Sequence, residues 1–309
     1  MTDIGNNGER ATIGNTWLYY AHLSIYRFAI QFLRPGARVL DAGSGSGYGS
    51  AYLADHGAFV LAYDAGVDAV AFAAEHFPQV KYEVRDLGAA LPLPDRGFDL
   101  VVSSNVFEHV ANVDSLAAEC ARIVQADGAV VVAVPPVTWP GSAEVDIRHY
   151  FHVHHIPPVA WHAKLSRFFG SVECFNHHGT GKWRSLDAQN AEHALPPNQV
   201  TIREDDFEFP RMAVEDHGSN NTITAVFVCR NPREVVLPET LAERMPAGWF
   251  TGAIVARVIR EERQAADAAR AEVDVLRRER DAAQARLDAV LASTSWRVTR
   301  ILRALRRAR

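Results

Sequence analysis

Glycine is concentrated at "DAGSGSGYGS", Asp41 to Ser50, between an apolar run and a helical pattern. Inside an element each glycine costs roughly 0.5–1 kcal/mol relative to alanine, so Gly43, Gly45 and Gly47, spaced by two, need a compensating use. A backbone that lies against a ligand is one, because glycine puts no Cβ in the way. A phosphate loop of the form G-x-x-x-x-G-K-[ST] is excluded, since no lysine follows, and G-x-G-x-x-G does not fit the spacing. What remains is D-x-G-x-G-x-G, an acid followed by a turn. Asp64, about 20 residues further on, and Asp86 end two later β-branched runs. A carboxylate can accept from two donors at once, although either acid alone also reads as a helix cap or a solvated turn.

A second group is rich in histidine. "NVFEHV" places Glu108 and His109 together, and "DIRHYFHVHHIPP" adds Asp146, His149, His152, His154 and His155. Imidazole titrates near neutrality and can take a proton from a hydroxyl, so His154, His155, His109 and Glu108 are the acid/base candidates. Substrate binding, packing and capping are the other uses of such residues. His152 and His154 with an acid could ligate a divalent ion, but their spacing fits no zinc signature, and no metal is expected.

The elements that must position these groups alternate between β-branched runs and alanine-rich helical stretches, the pattern of a parallel sheet with crossover helices. Seven strands are expected, at 37–43, 58–64, 80–86, 98–104, 128–135, 171–177 and 221–230. The helix in "DSLAAECARIVQADG" is expected to stop at Gly128. Leu18, His22, Ile25, Phe28 and Phe32 recur at helical spacing and predict an amphipathic helix on the sheet. In such sheets ligands lie beyond the carboxyl ends of the strands, where the glycine turn falls.

The motif D-x-G-x-G-x-G, with Asp64 and Asp86 in register behind it, resembles motif I and its partners in the class I S-adenosylmethionine-dependent methyltransferases, over roughly Glu9 to Arg230. The resemblance implies a seven-stranded, mostly parallel Rossmann-like α/β sheet with helices on both faces. It also implies S-adenosyl-L-methionine as cofactor, held by Asp41, Gly43, Ser44, Gly45, Gly47, Tyr48, Asp64, Ala65, Asp86, Leu87, Asn105 and His22. Asp64 would take the ribose hydroxyls and Asp86 the adenine amino group beside the Leu87 amide. Asp41 would either touch the cofactor or orient the loop through its amides. The amino-terminal "ERATIGNTWLYYAHLSIYRFAIQFLRPG" is similar to a bacterial subgroup associated with polysaccharide and O-antigen assembly, which needs no metal; there His22, Tyr26, Phe28 and Ala29 would lie over the cofactor's entrance. That implies methyl transfer to a sugar hydroxyl or terminal phosphate of a glycan or lipid-linked glycan. A small-molecule or quinone O-methyltransferase, and a non-catalytic cofactor-binding scaffold in a glycan assembly complex, are the alternatives.

After residue 252 the composition changes. Val255 to Leu291 contains neither glycine nor proline. With a at Ile259, Ala266, Val273, Arg280 and Leu287 and d at Glu262, Ala269, Leu276, Ala283 and Val290, a heptad pattern predicts a long helix, either paired as a coiled-coil homo-oligomer or solvated alone. Trp296 to Arg309 carries six arginines and no acid while the whole chain is −5, so the body is acidic and nucleic acid is not an expected partner. The tail, with Trp296, Ile301, Leu302 and Leu305 among its arginines, suits an anionic membrane surface. The expected organisation is a cap-helix region at 1–34, the methyltransferase domain at 35–246, the coiled coil at 253–292 and a basic amphipathic helix at 293–309. Three dispersed cysteines give no disulfide framework, and neither a secretion signal nor a membrane span is read, so a cytoplasmic location, peripheral to the inner membrane face, is expected.

Overall fold

The computed structural model describes residues 17–180 apart from 139 and 150, then 202–217, 222–233 and parts of a helix between 272 and 289. The chain divides into two compact units, Met1–Ile254 and Val255–Arg309.

The first unit is built on one sheet. Strands β1 (Arg38–Ala42), β2 (Phe59–Asp64), β3 (Lys81–Val84), β4 (Phe98–Ser104) and β5 (Val124–Val134) run parallel, in the spatial order β3-β2-β1-β4-β5. β6 (Phe169–Gly179) lies beyond them, and β9 (Thr224–Pro232) fits between β5 and β6, antiparallel to both. Because the order reverses at β1, the crevice between the β1 and β4 loops is where such a sheet receives a ligand.

Alternate residues along these strands feed two cores. Val39, Leu100, Val102 and Val131 face the helices α1 (Trp17–Ala29) and α2 (Tyr48–Asp55) through Ile25, Tyr26, Phe28 and Leu53. Leu40, Val101, Val130 and Val132 face α4 (Val113–Ile123) and α6 (Pro158–Ser166) through Leu116, Cys120, Trp161 and Leu165. Both faces are covered, which is why these strands read as continuous apolar runs. The remaining α-helices described in the first unit are α3 (Val67–His76) and α5 (Pro140–Arg148).

Four expectations change. Among the described residues the sheet has nine strands, because β7 (Phe207–Glu208) and β8 (Arg211–Met212) pair with β6. Helix α4 ends at Ile123, and Gly128 lies inside β5, where the register shifts against β4 between Phe98 and Leu100. A Cβ on Gly128 would stand 2.7 Å from the Asp99 carbonyl, so this glycine serves a bulge and not a cap. Strand β3 stops at Val84, which leaves Asp86 in the following loop. Leu18 is 39% exposed, and Ala21 takes its place on the buried face of α1.

Of the second unit, the described stretches between 272 and 289 are helical, with Val273, Val275 and Leu276 exposed. The tail at 293–309, and with it Trp296, Ile301, Leu302 and Leu305, lies outside the described residues, as do 1–16 of the cap region. Among the described residues no helix is long and apolar enough to cross a membrane.

Candidate active site

A cavity of about 640 Å³ opens at the carboxyl ends of β1, β2 and β4. Its wall is first the turn after β1. Gly43, Gly45 and Gly47 all have positive φ, of 94°, 52° and 85°. A Cβ on Gly43 would fall 2.2 Å from Val106 Cγ2, so the β1 and β4 loops touch backbone to side chain. At Gly45 the same test meets nothing within 4 Å, which is the open space a ligand needs beside bare backbone. Gly47 is different: it starts α2 in a left-handed conformation, with Ala73 and Tyr82 where its Cβ would be, and it does not line the cavity.

Asp64 ends β2 with its carboxylate aimed by two amides, Gly45 N–H donating to Oδ2 at 2.8 Å and Gly66 N–H to Oδ1 at 2.7 Å. Two amides leave acceptor capacity on a carboxylate that has about four lone-pair directions. Asp86, exposed, accepts the Gly88 amide at 2.8 Å beside Leu87. Together with these, His22, Gly43, Ser44, Gly45, Tyr48, Ala65 and Asn105 line the cavity. Asn105 stands at φ 53° with its amide donating to the Ala133 carbonyl, and so presents itself at the end of β4.

Asp41 sits beneath this wall and not in it. It is fully buried, accepts from Tyr26 Oη at 3.2 Å and Ser50 Oγ at 2.5 Å, and burial raises its carboxyl to about 7. Neither contact is to a loop amide, so it holds α1 and α2 to the strand. The loop is fixed instead by the Tyr63 carbonyl, which accepts from Gly43 N and Ser44 N.

The histidines sort by position. His109 lines the cavity, its Nδ1 donating to the Phe151 carbonyl at 3.1 Å. Glu108 is buried behind it, and Glu108 and His109 sit in a 3₁₀ turn, Phe107–His109. The Glu108 carbonyl accepts the amides of Val153 and His154, which docks the segment after α5 against that turn. His152 and His155 donate through Nδ1 to the two oxygens of Asp146, each at 2.7 Å, and these hydrogen bonds hold the Asp146 carboxyl below its usual range in spite of burial. His154 is turned away from the cavity: its Nε2 donates to the Val110 carbonyl at 3.0 Å, its ring meets Trp161, and burial lowers its pKa. His154, His155 and Glu108 do not line the cavity. The local sequence could not separate these neighbours, because which ring faces inward depends on how 149–155 docks on a turn some forty residues earlier. Of the α1 residues expected over the entrance, His22 and Tyr26 line the cavity while Phe28 and Ala29 pack into the core; Phe151 and the Val110–Asn112 loop, which line its other side, were not among the expected site residues. Phe151 and that loop carried no local signal.

Residues 40–132 match the family described as "Methyltransferase domain". A protein of Mycobacterium tuberculosis named as a probable S-adenosylmethionine-dependent methyltransferase is 38% identical over 97 residues, 31% of this chain and 35% of that one. A protein of Mycolicibacterium smegmatis with the same designation is 33% identical over 132 residues, 41% of this chain and 50% of that one. The chain thus spans between a third and half of the length of these relatives. Among solved structures, an S-adenosylmethionine-dependent methyltransferase of Thermotoga maritima superposes with a TM-score of 0.50 at 14% identity, over 69% of this chain and 90% of that one. A chain from the complex of the Haloferax volcanii Trm112 methyltransferase activator also gives 0.50, at 19% identity, over 69% of this chain and 91% of that one. At such identities the likeness is one of fold. Residues 40–132, which hold the glycine turn, Asp64 and Asp86, thus match a methyltransferase-domain family, and the relatives that share this segment are named as S-adenosylmethionine-dependent.

Proposed function

We propose that this chain binds S-adenosyl-L-methionine in the cavity and methylates a hydroxyl of a glycan intermediate in cell-surface polysaccharide biosynthesis. The observation that carries the cofactor assignment is the Asp64 carboxylate, aimed by the Gly45 and Gly66 amides at a cavity floored by the bare backbone of Gly45. Asp64 would hold the ribose hydroxyls, Asp86 and Leu87 the adenine, and Gly43 to Gly45 the methionine end. When bound, the cofactor supplies a methyl group activated on a sulfonium. Of the two lining histidines, His22 and His109, we assign the acceptor's proton to His109, since its Nδ1 hydrogen is committed to the Phe151 carbonyl and the neutral ring then carries its lone pair on Nε2.

The acceptor class rests on the similarity of the amino-terminal segment to glycan methyltransferases, and the homo-oligomer and the peripheral membrane contact rest on the heptads and the arginine-rich tail. Asp64→Ala is expected to weaken cofactor binding by about 1.5–3 kcal/mol in calorimetry, as for a hydrogen bond to a charged group. Wild-type protein given labelled cofactor and a panel of lipid-linked glycans, quinones and small phenols is expected to label the glycans. Unchanged affinity in the variant removes the ribose assignment, and label in the quinones alone replaces the acceptor class.

A further inference from the structure

Glu108, His109 and His152 each bring one ligating atom to within 4.8 Å of the other two, although the last is distant in sequence from the first pair. The Glu108 carboxylate, only 1% exposed, stands 4.0 Å from His109 Nε2. The rings of His109 and His152 meet edge to face with centroids 4.8 Å apart.

What sets this group apart is how the two rings are held from behind. A carbonyl can only accept, so the contact to the Phe151 oxygen puts the hydrogen of His109 on Nδ1. The Asp146 carboxylate likewise takes a hydrogen from His152 Nδ1 at 2.7 Å, and its other oxygen is anchored by His155. Each ring, when neutral, then has its lone pair on Nε2. A carboxylate or carbonyl behind Nδ1 is the arrangement that fixes and strengthens an imidazole as a metal ligand. Ligand bonds of about 2.0–2.2 Å bring donor atoms to roughly 3–3.5 Å from one another, so closing the present cluster asks for shifts of about 1 Å.

We infer that Glu108, His109 and His152 form a binding site for a first-row divalent transition metal ion at the wall of the cofactor cavity, with Asp146 as the positioning residue behind His152. Two imidazoles and one carboxylate suit such an ion and leave coordination positions open. Because His109 lines the cavity, those positions are within reach of oxygens on a bound acceptor. With the ion bound, a hydroxyl held there would lose its proton to water through coordination and His109 would act as a ligand; in the metal-free protein His109 remains the proton acceptor. The metal site goes beyond the methyl-transfer reading, and its test does not depend on turnover.

The full-length protein, dialysed against a chelator, is titrated with cobalt(II) and followed by its visible ligand-field absorption, with zinc(II) calorimetry in parallel. One stoichiometric equivalent is expected, lost in Glu108→Gln and His152→Ala, weakened about 10–100-fold in Asp146→Asn, and unchanged in His76→Ala, an exposed histidine on α3. Circular dichroism of each variant separates loss of the site from loss of the fold, and Glu108→Gln keeps the shape of the buried side chain. Cobalt absorption that is the same in wild type, Glu108→Gln and His152→Ala, or the absence of a stoichiometric equivalent in the wild type, overturns the inference. Cofactor binding measured on the same chelated protein shows whether the methyltransferase reading stands or falls with it.

Discussion

Asp41 meets the hydroxyls of Tyr26 and Ser50 at 0% exposure, and burial raises its carboxyl from 3.8 to about 7. A carboxyl whose folded pKa lies above its unfolded value keeps its proton in the fold while the unfolded chain has released it. Its contribution to stability is therefore full below about pH 4, falls as the pH rises to about 7, and is constant above that. Wild type is expected to lose about 2–3 kcal/mol between pH 5 and pH 8 relative to Asp41→Asn in urea unfolding, at 1.36 kcal/mol per pKa unit. Parallel curves for the two proteins would show that Asp41 is ionised throughout. At this scale the sequence was informative wherever chain position decides exposure: Asp64 ends a strand beside the glycine turn, and the next peptide links fix its direction. It was uninformative where a contact spans two segments. Nothing local to "HVHH" says that His152 joins Glu108 and His109 while His154 turns to the Val110 carbonyl.

Helices α1 and α2 meet where α2 has Gly49 and α1 has Tyr26. A Cβ on Gly49 would stand 2.1 Å from the Tyr26 ring, and that ring carries the hydroxyl that reaches Asp41. Gly49→Ala gains helix propensity of about 1 kcal/mol yet must displace a buried aromatic ring, an overpacking that costs typically 1–3 kcal/mol. Net destabilisation is expected, and it should shrink or reverse in a Tyr26→Ala background, because the clash is then absent. A Gly49→Ala cost that is the same with and without the Tyr26 ring would place its origin elsewhere. The strands were legible because buried parallel strands need uninterrupted β-branched runs, as in the "AVVVAV" of β5. β7 and β8 were not, since two residues carry no periodicity, and they exist through pairing with β6. The end of α4 was misplaced for a related reason: Gly128 resembles a helix stop, while its neighbours Val124 and Ala129 pair with β4 on either side of a bulge.

Over the whole chain, a sheet-based unit of 254 residues is followed by a unit of 55 with no glycine or proline in its first 37 residues. The described part of the second unit is helical and leaves Val273 46% and Leu276 57% exposed, at a and d of the heptads. Apolar side chains at a and d are covered when a second helix supplies the holes that receive them, and burying one such side chain contributes about 1.5–3 kcal/mol. Alanines at Ala266, Ala269 and Ala283, with Arg280 at a further core position, dilute that gain, so association through this seam should be weak and concentration-dependent. Sedimentation velocity of the full-length protein is expected to show an oligomer that dissociates on dilution. Replacing Val273 and Leu276 together with lysine places charge where the seam needs apolar contact and is expected to give a monomer with reduced helical dichroism. The first unit should keep its urea midpoint in that variant, because Val273 and Leu276 belong to the other compact unit. A full-length protein that is monomeric at every concentration, or an oligomer that survives the two lysines unchanged, would show that the heptads of the second unit do not pair copies of this chain.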